Sequence, residues 1–357
     1  MKYFKMILKV LLVIILIIIV YVVGNILLGY FTKFKPSEKT AIMVDAPIEG
    51  TITDSSFTCM IWNIGYAGLG KEENFFYDGG KMVRPSRERV DTNLNGIIRF
   101  LQKQTDVDFL MIQEIDSQSK RSYYINQYEV IGNNLPQYNR SYAMNFWVKY
   151  HPMPLERPWD VMGKVTAGMA TYSKYTPMDV VRHQLPGAFP FPKNLYMLDR
   201  CLLVQRYKLT NGKQLIIINL HNSAYDNTGE LKAKEMGYLK QLILKEYEQG
   251  NYVVAGGDWN QNPPGFDNMT FAKGIKEPYH QTNVANDFMP DGWAWAYDAT
   301  TPTNRNLVTA YNPSTTFTTL IDFFLVSPNL EVVEVKGQQL NFEFSDHQPV
   351  KLRVRFK

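Results

Sequence analysis

The apolar positions along the chain fall into three kinds of run. The first is unbroken: Val10 to Phe31 reads VLLVIILIIIVYVVGNILLGYF, interrupted only by Asn25 and two glycines. At about 1.5 Å per residue it is long enough to cross a hydrocarbon core of about 30 Å. A secretory signal would carry a shorter apolar region, about 7–15 residues, followed by a small-residue cleavage site. No A-x-A-like site and no lipid-accepting cysteine follows here, so the pattern predicts an uncleaved transmembrane helix over 10–31 behind a short basic flank, 1–9.

The second kind of run has helical spacing. Residues 86–104 place Val90, Leu94, Ile97, Ile98 and Leu101 on one face, and residues 229–249 do the same with Leu231, Met236, Leu239, Leu242, Ile243 and Tyr247 before stopping at Gly250. The third kind is short and strand-like: FTCMIWNI, VDFLMIQEI, AGMATYSK, CLLVQRYKL, KQLIIINLH, NYVVAGGDW, TLIDFFLVS and PVKLRVRF. Asn211-Gly212 between the fourth and fifth predicts a hairpin. Residues 32–55 are polar, Pro-punctuated and without period, and read as a stalk or linker ahead of one domain over 56–357.

The polar residues closing these strands carry the chemistry. Run after run ends in a group able to bind a cation, move a proton or donate a hydrogen bond: Asn63, Glu114, His221, Asp258 with Asn260, and Asp322. Side chains at strand ends can converge on one rim of a sheet even when far apart in sequence.

Composition changes this picture in two places. The formal charge of +4 is misleading, because Lys2, Lys5, Lys9, Lys33 and Lys35 lie in the acid-free first 36 residues. Without them 33 basic residues face all 34 acidic ones, so the domain has no excess of positive charge with which to track a nucleic-acid backbone. The lysine bias slightly favours a cytoplasmic N-terminus and a domain on the non-cytoplasmic side of the membrane. Cys59 and Cys201, each inside an apolar run, read as buried small hydrophobes, and neither zinc ligation nor a disulfide framework is indicated.

Seven segments together, IWNIG (61–65), MIQEID (111–116), AGMATYSK (167–174), INLHNS (218–223), GGDWNQNP (256–263), LIDFFLVS (320–327) and FSDHQPV (344–350), resemble the endonuclease/exonuclease/phosphatase superfamily, the DNase I-like group. The resemblance spans roughly 57–357. It implies an α/β four-layer sandwich of two mixed β-sheets flanked by helices, and a divalent-metal-dependent phosphoester hydrolase. Carried over position by position, it implies that Glu114, with Asn63 beside it and Asp346 nearby, holds Mg2+ (or Mn2+). It implies that His347, oriented by Asp322, activates water; that Asp258 aligns the nucleophile; and that Asn260 and His221 donate to the phosphate oxygens.

Two further expectations concern substrate. The long loop 65–90 follows Asn63 directly and is expected to wall the cleft, offering Arg84 or Lys81; Arg305, in PTNRN, is expected to contact the phosphate. The anchor, the near-neutral domain and AFPFPKNLYM (188–197) favour a lipid head group or small diester. A tethered nuclease, a phosphomonoesterase and a non-catalytic binding module are the alternatives; no protein partner is implied.

Overall fold

The structure, a computed structural model, describes residues 1–357 except residues 46, 227, 273 and 277–280. His280, a histidine in none of the sequence motifs, therefore lies outside the described residues. In chain order the strands are β1 (Lys39–Ala41), β2 (Ser56–Asn63), β3 (Phe109–Asp116), β4 (Asn139–His151), β5 (Gly163–Ser173), β6 (Asp179–Gln184), β7 (Cys201–Lys208), β8 (Gln214–His221), β9 (Tyr252–Asp258), β10 (Ala294–Ala296), β11 (Asn304–Arg305), β12 (Thr318–Thr319), β13 (Asp322–Val326), β14 (Leu330–Gly337) and β15 (Val350–Phe356). The α-helices are α1 (Lys2–Thr32), α2 (Arg87–Gln102), α3 (Gln127–Asn133) and α4 (Glu230–Glu248).

The strands form two large mixed sheets and a small ribbon. One sheet runs β1-β6-β7-β8-β9-β13-β10, the other β14-β15-β2-β3-β5-β4, and β11 pairs with β12. Each large sheet contains a single parallel pair among antiparallel neighbours, β8 with β9 and β2 with β3. These four strands are buried almost throughout, which is why they read as near-continuous apolar runs and not as alternating ones.

Three layers of apolar packing fill the sandwich. Between the sheets, Cys59, Ile61, Phe109 and Met111 meet Tyr207, Ile217, Val254 and Phe324. Outside one sheet, Val90, Leu94, Ile97 and Leu101 of α2 cover Met60, Trp62, Leu110 and Ile112. Outside the other, Met236, Leu239 and Ile243 of α4 cover Ile216, Ile218, Val253 and Ala255. Helix α2 starts where Ser86 Oγ accepts the Arg89 N–H, leaving its five apolar residues on the sheet side. Cys59 and Cys201 are both buried and unpaired.

Two regions depart from the sequence reading. Residues 32–55 are not a free stalk: β1 pairs with β6, and bridges join Asp45 to Arg140 and Ile52 to Leu209. The thirteen-residue β4, not marked by any apolar run, is held by long pairing with β5 that absorbs its polar residues. Helix α1, with mean hydropathy 3.3 over its most apolar window, leaves that window unburied and packs on the domain only near its C-terminal end. There Tyr21 Oη lies 3.3 Å from Tyr150 Oη, Gly29 sits against Leu195, and Lys33 Nζ bonds Asp199 at 2.7 Å.

A polar bridge crosses the inner layer just beneath the strand ends. Gln113 Nε2 donates to Asn219 Oδ1 at 2.7 Å, and Asn219 Nδ2 donates to the Ala170 carbonyl at 2.9 Å. Both side chains are fully buried, so losing one leaves its partner without water or replacement. Asn219→Leu is expected to lower unfolding free energy by about 2–4 kcal/mol, read as a lower urea midpoint at unchanged slope for the detergent-solubilised chain. A loss below about 0.5 kcal/mol would mean the bridge contributes nothing.

Candidate active site

The parallel pairs determine where the site forms. Because β2 and β3 run the same way, as do β8 and β9, each pair delivers two C-terminal ends to one edge: Asn63 beside Gln113, and His221 beside Asp258. Strand β13 runs antiparallel to β9, and its first residue, Asp322, lies opposite Asp258. The segment before β15 supplies Asp346 and His347, tied in by the Trp62 indole donating to the His347 carbonyl (3.0 Å) and by Ser345 Oγ donating to the Asn63 carbonyl (2.8 Å). Two site residues have left-handed backbones, Glu114 (φ 51°) and Asn260 (φ 50°). Glu114 does so where the β3–β5 register slips between Ile112 and Ile115. Asparagine tolerates this conformation; glutamate pays for it, and such strain gathers at functional sites.

His347 is the best-defined group. Its Nδ1 lies 2.8 Å from Asp322 Oδ2, while Nε2 faces Asn304 Nδ2 at 3.0 Å, Asp258 Oδ2 at 3.8 Å and Asp346 Oδ2 at 4.0 Å. In the neutral form of the ring, with Nδ1–H donated to Asp322, the lone pair is on Nε2 and accepts from the Asn304 amide. Burial alone would lower the imidazole's pKa; Asp322, Asp258 and Asp346 outweigh it and hold the ring well above its usual range. His221 goes the other way: burial, then the charges of Arg200 and His347, keep it neutral. Its Nε2 is 3.3 Å from Asp258 Oδ2 and 3.9 Å from Glu114 Oε1, so Asp258 is its nearest carboxylate partner.

Asn63 is arranged differently from the metal ligand implied by the resemblance. Its Oδ1 accepts the Gly65 N–H at 3.0 Å, and its Nδ2 donates to Glu114 Oε1 (3.2 Å) and Asp258 Oδ2 (3.1 Å). The amide nitrogen therefore holds two carboxylates, while the oxygen is engaged by the Gly65 N–H. Asn260 donates its backbone N–H to Asp258 Oδ1 at 2.9 Å and one side-chain N–H to the Asn222 carbonyl at 2.9 Å, which orients it at the cavity wall.

The donor set suits a hard divalent cation. Glu114 and Asp346 are all-oxygen donors lining one cavity, and burial, with the charge of Glu114 added, raises the Asp346 carboxyl to about 7. A carboxyl so short of positive charge is what a cation would relieve. Asp258, Asp322 and His347 also place donor atoms within 4.8 Å of one another. A metal there would have to displace the Asp322–His347 hydrogen bond, so Glu114 and Asp346 are the better-suited pair.

The cavity is about 790 Å³. Loop 65–90 does wall it, through Tyr66, Leu69, Phe75, Tyr77 and Asp78. Arg84 and Lys81 do not line it; the Arg84 guanidinium lies 5.9 Å from the Tyr123 ring centre instead. Arg305 borders the cavity, but its guanidinium is committed to backbone: Nη2 donates to the Leu69, Gly70 and Glu73 carbonyls, and Nη1 to those of Asn306 and Thr309. This makes it a clamp on the 65–75 loop, with only Nε facing no partner.

Three residues that the sequence reading passed over belong here. Asn304 reaches His347. Asp78, raised to about 6 chiefly by burial, accepts from Tyr225 Oη at 2.9 Å. Arg200 is buried on the cavity wall with a single long contact, 3.5 Å to the His221 carbonyl. A usable signal existed for Arg200: β7 runs antiparallel to β8, so the start of β7 reaches the same rim as the end of β8.

Two mixed sheets packed face to face, with a histidine–aspartate pair and a carboxylate cluster at one rim, define a DNase I-like phosphoesterase. A model of the Endonuclease/Exonuclease/phosphatase family matches residues 60–347, and the chain belongs to that family. Among solved structures, an endonuclease/exonuclease/phosphatase from Beutenbergia cavernae is 17% identical, with TM-score 0.54 over 85% of this chain and 72% of its own. The human Nocturnin catalytic domain with bound sulfate is 16% identical, with TM-score 0.52 over 87% of this chain and 97% of its own. D. rerio TDP2 complexed with a single-strand DNA product is 13% identical, with TM-score 0.51 over 85% of this chain and all of its own. These likenesses show the shared fold. No curated protein matches the sequence.

The raised carboxyls set the sign of a pH effect. The unfolded chain releases these protons near pH 4, whereas the native state keeps them until about 6 at Asp78 and about 7 at Asp346. Their contribution to stability is therefore full below about pH 4 and is lost as pH rises through 6–7. A divalent cation competes with the same protons. The rise in melting temperature on adding Mg2+ or Mn2+ is expected to be several degrees larger at pH 8 than at pH 5, and to vanish in Glu114→Gln/Asp346→Asn. Equal shifts at both pH values would exclude these carboxylates as the binding site.

Proposed function

We propose that this protein is a membrane-tethered phosphodiester hydrolase in which His347 activates the attacking water. The observation that carries the reading is the 2.8 Å contact between His347 Nδ1 and Asp322, with Nε2 left toward the cavity among Asp258, Asp346 and Asn304. Asp322 fixes the tautomer and stabilises the imidazolium formed when Nε2 takes the proton. Glu114 and Asp346 would hold the divalent cation, which supplies charge for the phosphoryl oxygens. Asp258 holds His221 and the Asn260 backbone by direct contacts, and the second side-chain N–H of Asn260 is oriented to meet the negative charge that grows in the transition state.

Helix α1 supports the tether. Its unburied apolar window has no place in the domain's core, and Lys2, Lys5 and Lys9 at its start favour a domain on the non-cytoplasmic side. A lipid head group or other small diester is the preferred substrate. The TDP2 relative holds single-stranded DNA product, which keeps a nuclease as the second reading; the near-neutral charge of the domain weighs against it.

The test uses the full chain in nanodiscs with Mg2+ or Mn2+, against bis-nitrophenyl phosphate, nitrophenyl phosphate, a long-chain choline phosphodiester lipid and single-stranded DNA. Diester cleavage is expected to stop with chelator and to fall about 10²–10⁴-fold in kcat in His347→Ala. Asp322→Asn should lose a comparable factor, because the amide imposes the wrong tautomer. Full activity in folded His347→Ala would eliminate the mechanism, and faster monoester than diester turnover would make the protein a phosphatase.

A further inference from the structure

The cavity has two chemically distinct ends. The polar end holds Glu114, His221, Asp258, Asp346 and His347. The other is formed mainly by Phe146, Met162, Ala167, Tyr196 and Leu198, which belong to one apolar cluster, with Met197 and His151 beside them and Asn145 and Arg121 as its polar members next to Phe146. Aromatic rings line this arm in sequence: Phe146 to His151 at 6.4 Å, His151 to Tyr196 at 5.5 Å and His151 to Tyr77 at 6.1 Å between centroids. Burial pushes the His151 imidazole down to about 4, so the arm carries no charge from it at neutral pH. His151, which stands in none of the sequence motifs, is thus part of the wall.

Helix α1 packs against the segments that build this arm. Gly29 lies against Leu195 and Tyr196: a Cβ there would stand 3.3 Å from Leu195 Cβ and 3.5 Å from Tyr196 Oη. Lys33 bonds Asp199, and Tyr21 meets Tyr150, the neighbour of His151. Tyr196 touches the helix and lines the cavity at once, so the wall between α1 and the arm is one strip of chain thick. The two segments carrying the arm, 152–162 and 187–198, also expose Leu155, Trp159 and Phe191, of which Trp159 is 78% and Phe191 62% exposed. Lys193 sits at the cavity edge with its ammonium 4.0 Å from the Phe189 ring centre.

We infer that the arm binds the apolar chain of a membrane lipid whose phosphodiester reaches His347, and that Leu155, Trp159 and Phe191 rest in the bilayer interface beside α1. The inference deepens the hydrolase reading and rests on it for the position of the phosphodiester. A free sugar phosphate would fill the polar end and leave the arm's apolar surface against water, a cost that an acyl chain removes. Interfacial aromatics next to a spanning helix are where such rings are favoured, and the packing of Leu195 and Tyr196 on Gly29 puts the segment that carries Phe191 beside α1.

Met197→Glu and Leu198→Gln alter the arm without touching the catalytic cluster. Trp159→Ser/Phe191→Ser alters exposed tips whose loss leaves folding intact. Full-length protein in nanodiscs would be assayed on a long-chain choline phosphodiester lipid and on bis-nitrophenyl phosphate. The arm variants are expected to lose at least tenfold in kcat/KM on the lipid, mainly through KM, with the soluble diester changed less than twofold. The tip variant should lose lipid turnover in the same selective way. A lipid carrying a photoreactive group in its chain should label Met162, Met197 or Leu198. Parallel loss on both substrates, no loss on either, DNA cleaved faster than lipid, or labelling confined to the outer face of α1 would each overturn the inference. If no diester is cleaved by wild type with metal present, the hydrolase reading fails, and the labelled positions still decide whether the arm binds an acyl chain.

Discussion

The Asn63 side chain is the contact on which the site depends. Its amide nitrogen donates to Glu114 from its own sheet and to Asp258 from the other, while its oxygen is held by Gly65. Two carboxylates near one another repel and would splay the sheets' ends apart; an amide between them offsets that repulsion with two hydrogen bonds to charged groups. The sandwich can then close to a rim at which side chains from β2, β3, β8, β9 and β13 lie within a few ångströms. Gly257, with φ 145°, keeps the β8–β9 pairing beneath the rim, since a side chain there would meet the Leu220 carbonyl at 2.0 Å and Gln113 Nε2 of the other sheet at 3.1 Å.

Around this link the charges are unequal by design of the fold. Asp322 and Asp258 sit deep, Asp346 and Glu114 border the cavity, and the cations within reach are already engaged. Arg305 is spent on loop carbonyls, Arg121 on Asp116 and the Tyr66 face, and Lys232 on the Asn260 carbonyl. Arg200 is the exception among the described arginines of the cavity, buried with little more than one long contact. The result is a rim short of positive charge, held apart from water, where a proton or a divalent cation has a large effect on stability and on the basicity of His347.

The same architecture links helix α1 to the pocket. Helix α1 reaches the domain through Tyr21, Gly29 and Lys33, and the strip it meets is the outer side of the cavity's apolar arm. Gly29 allows the close approach, because any side chain would press on Leu195.

Much of the site was legible in the sequence because its signals are local. Burial on both faces makes central strands continuously apolar, and the first polar residue at the end of such a run is the one that emerges at the rim; Asn63, Glu114, His221, Asp258 and Asp322 announce themselves in that way. The spanning length of Val10–Phe31 and the helical faces of α2 and α4 are equally local. The partners were not legible. Arg84 stands off the cavity, Arg305 grips a loop, and residues 32–55 are bound down as an edge strand, because each outcome depends on contacts between segments far apart in the chain. Asn304 meets His347 only because β11 bridges to the segment before β15, and Asn63 became a donor only because Gly65 took its oxygen. Sequence by itself determined which residues could do chemistry and at which strand ends they would lie. Which hydrogen bond each one makes was decided by tertiary pairing, since a side chain's direction follows from strand register and loop closure, and neither is written in the residues that it joins.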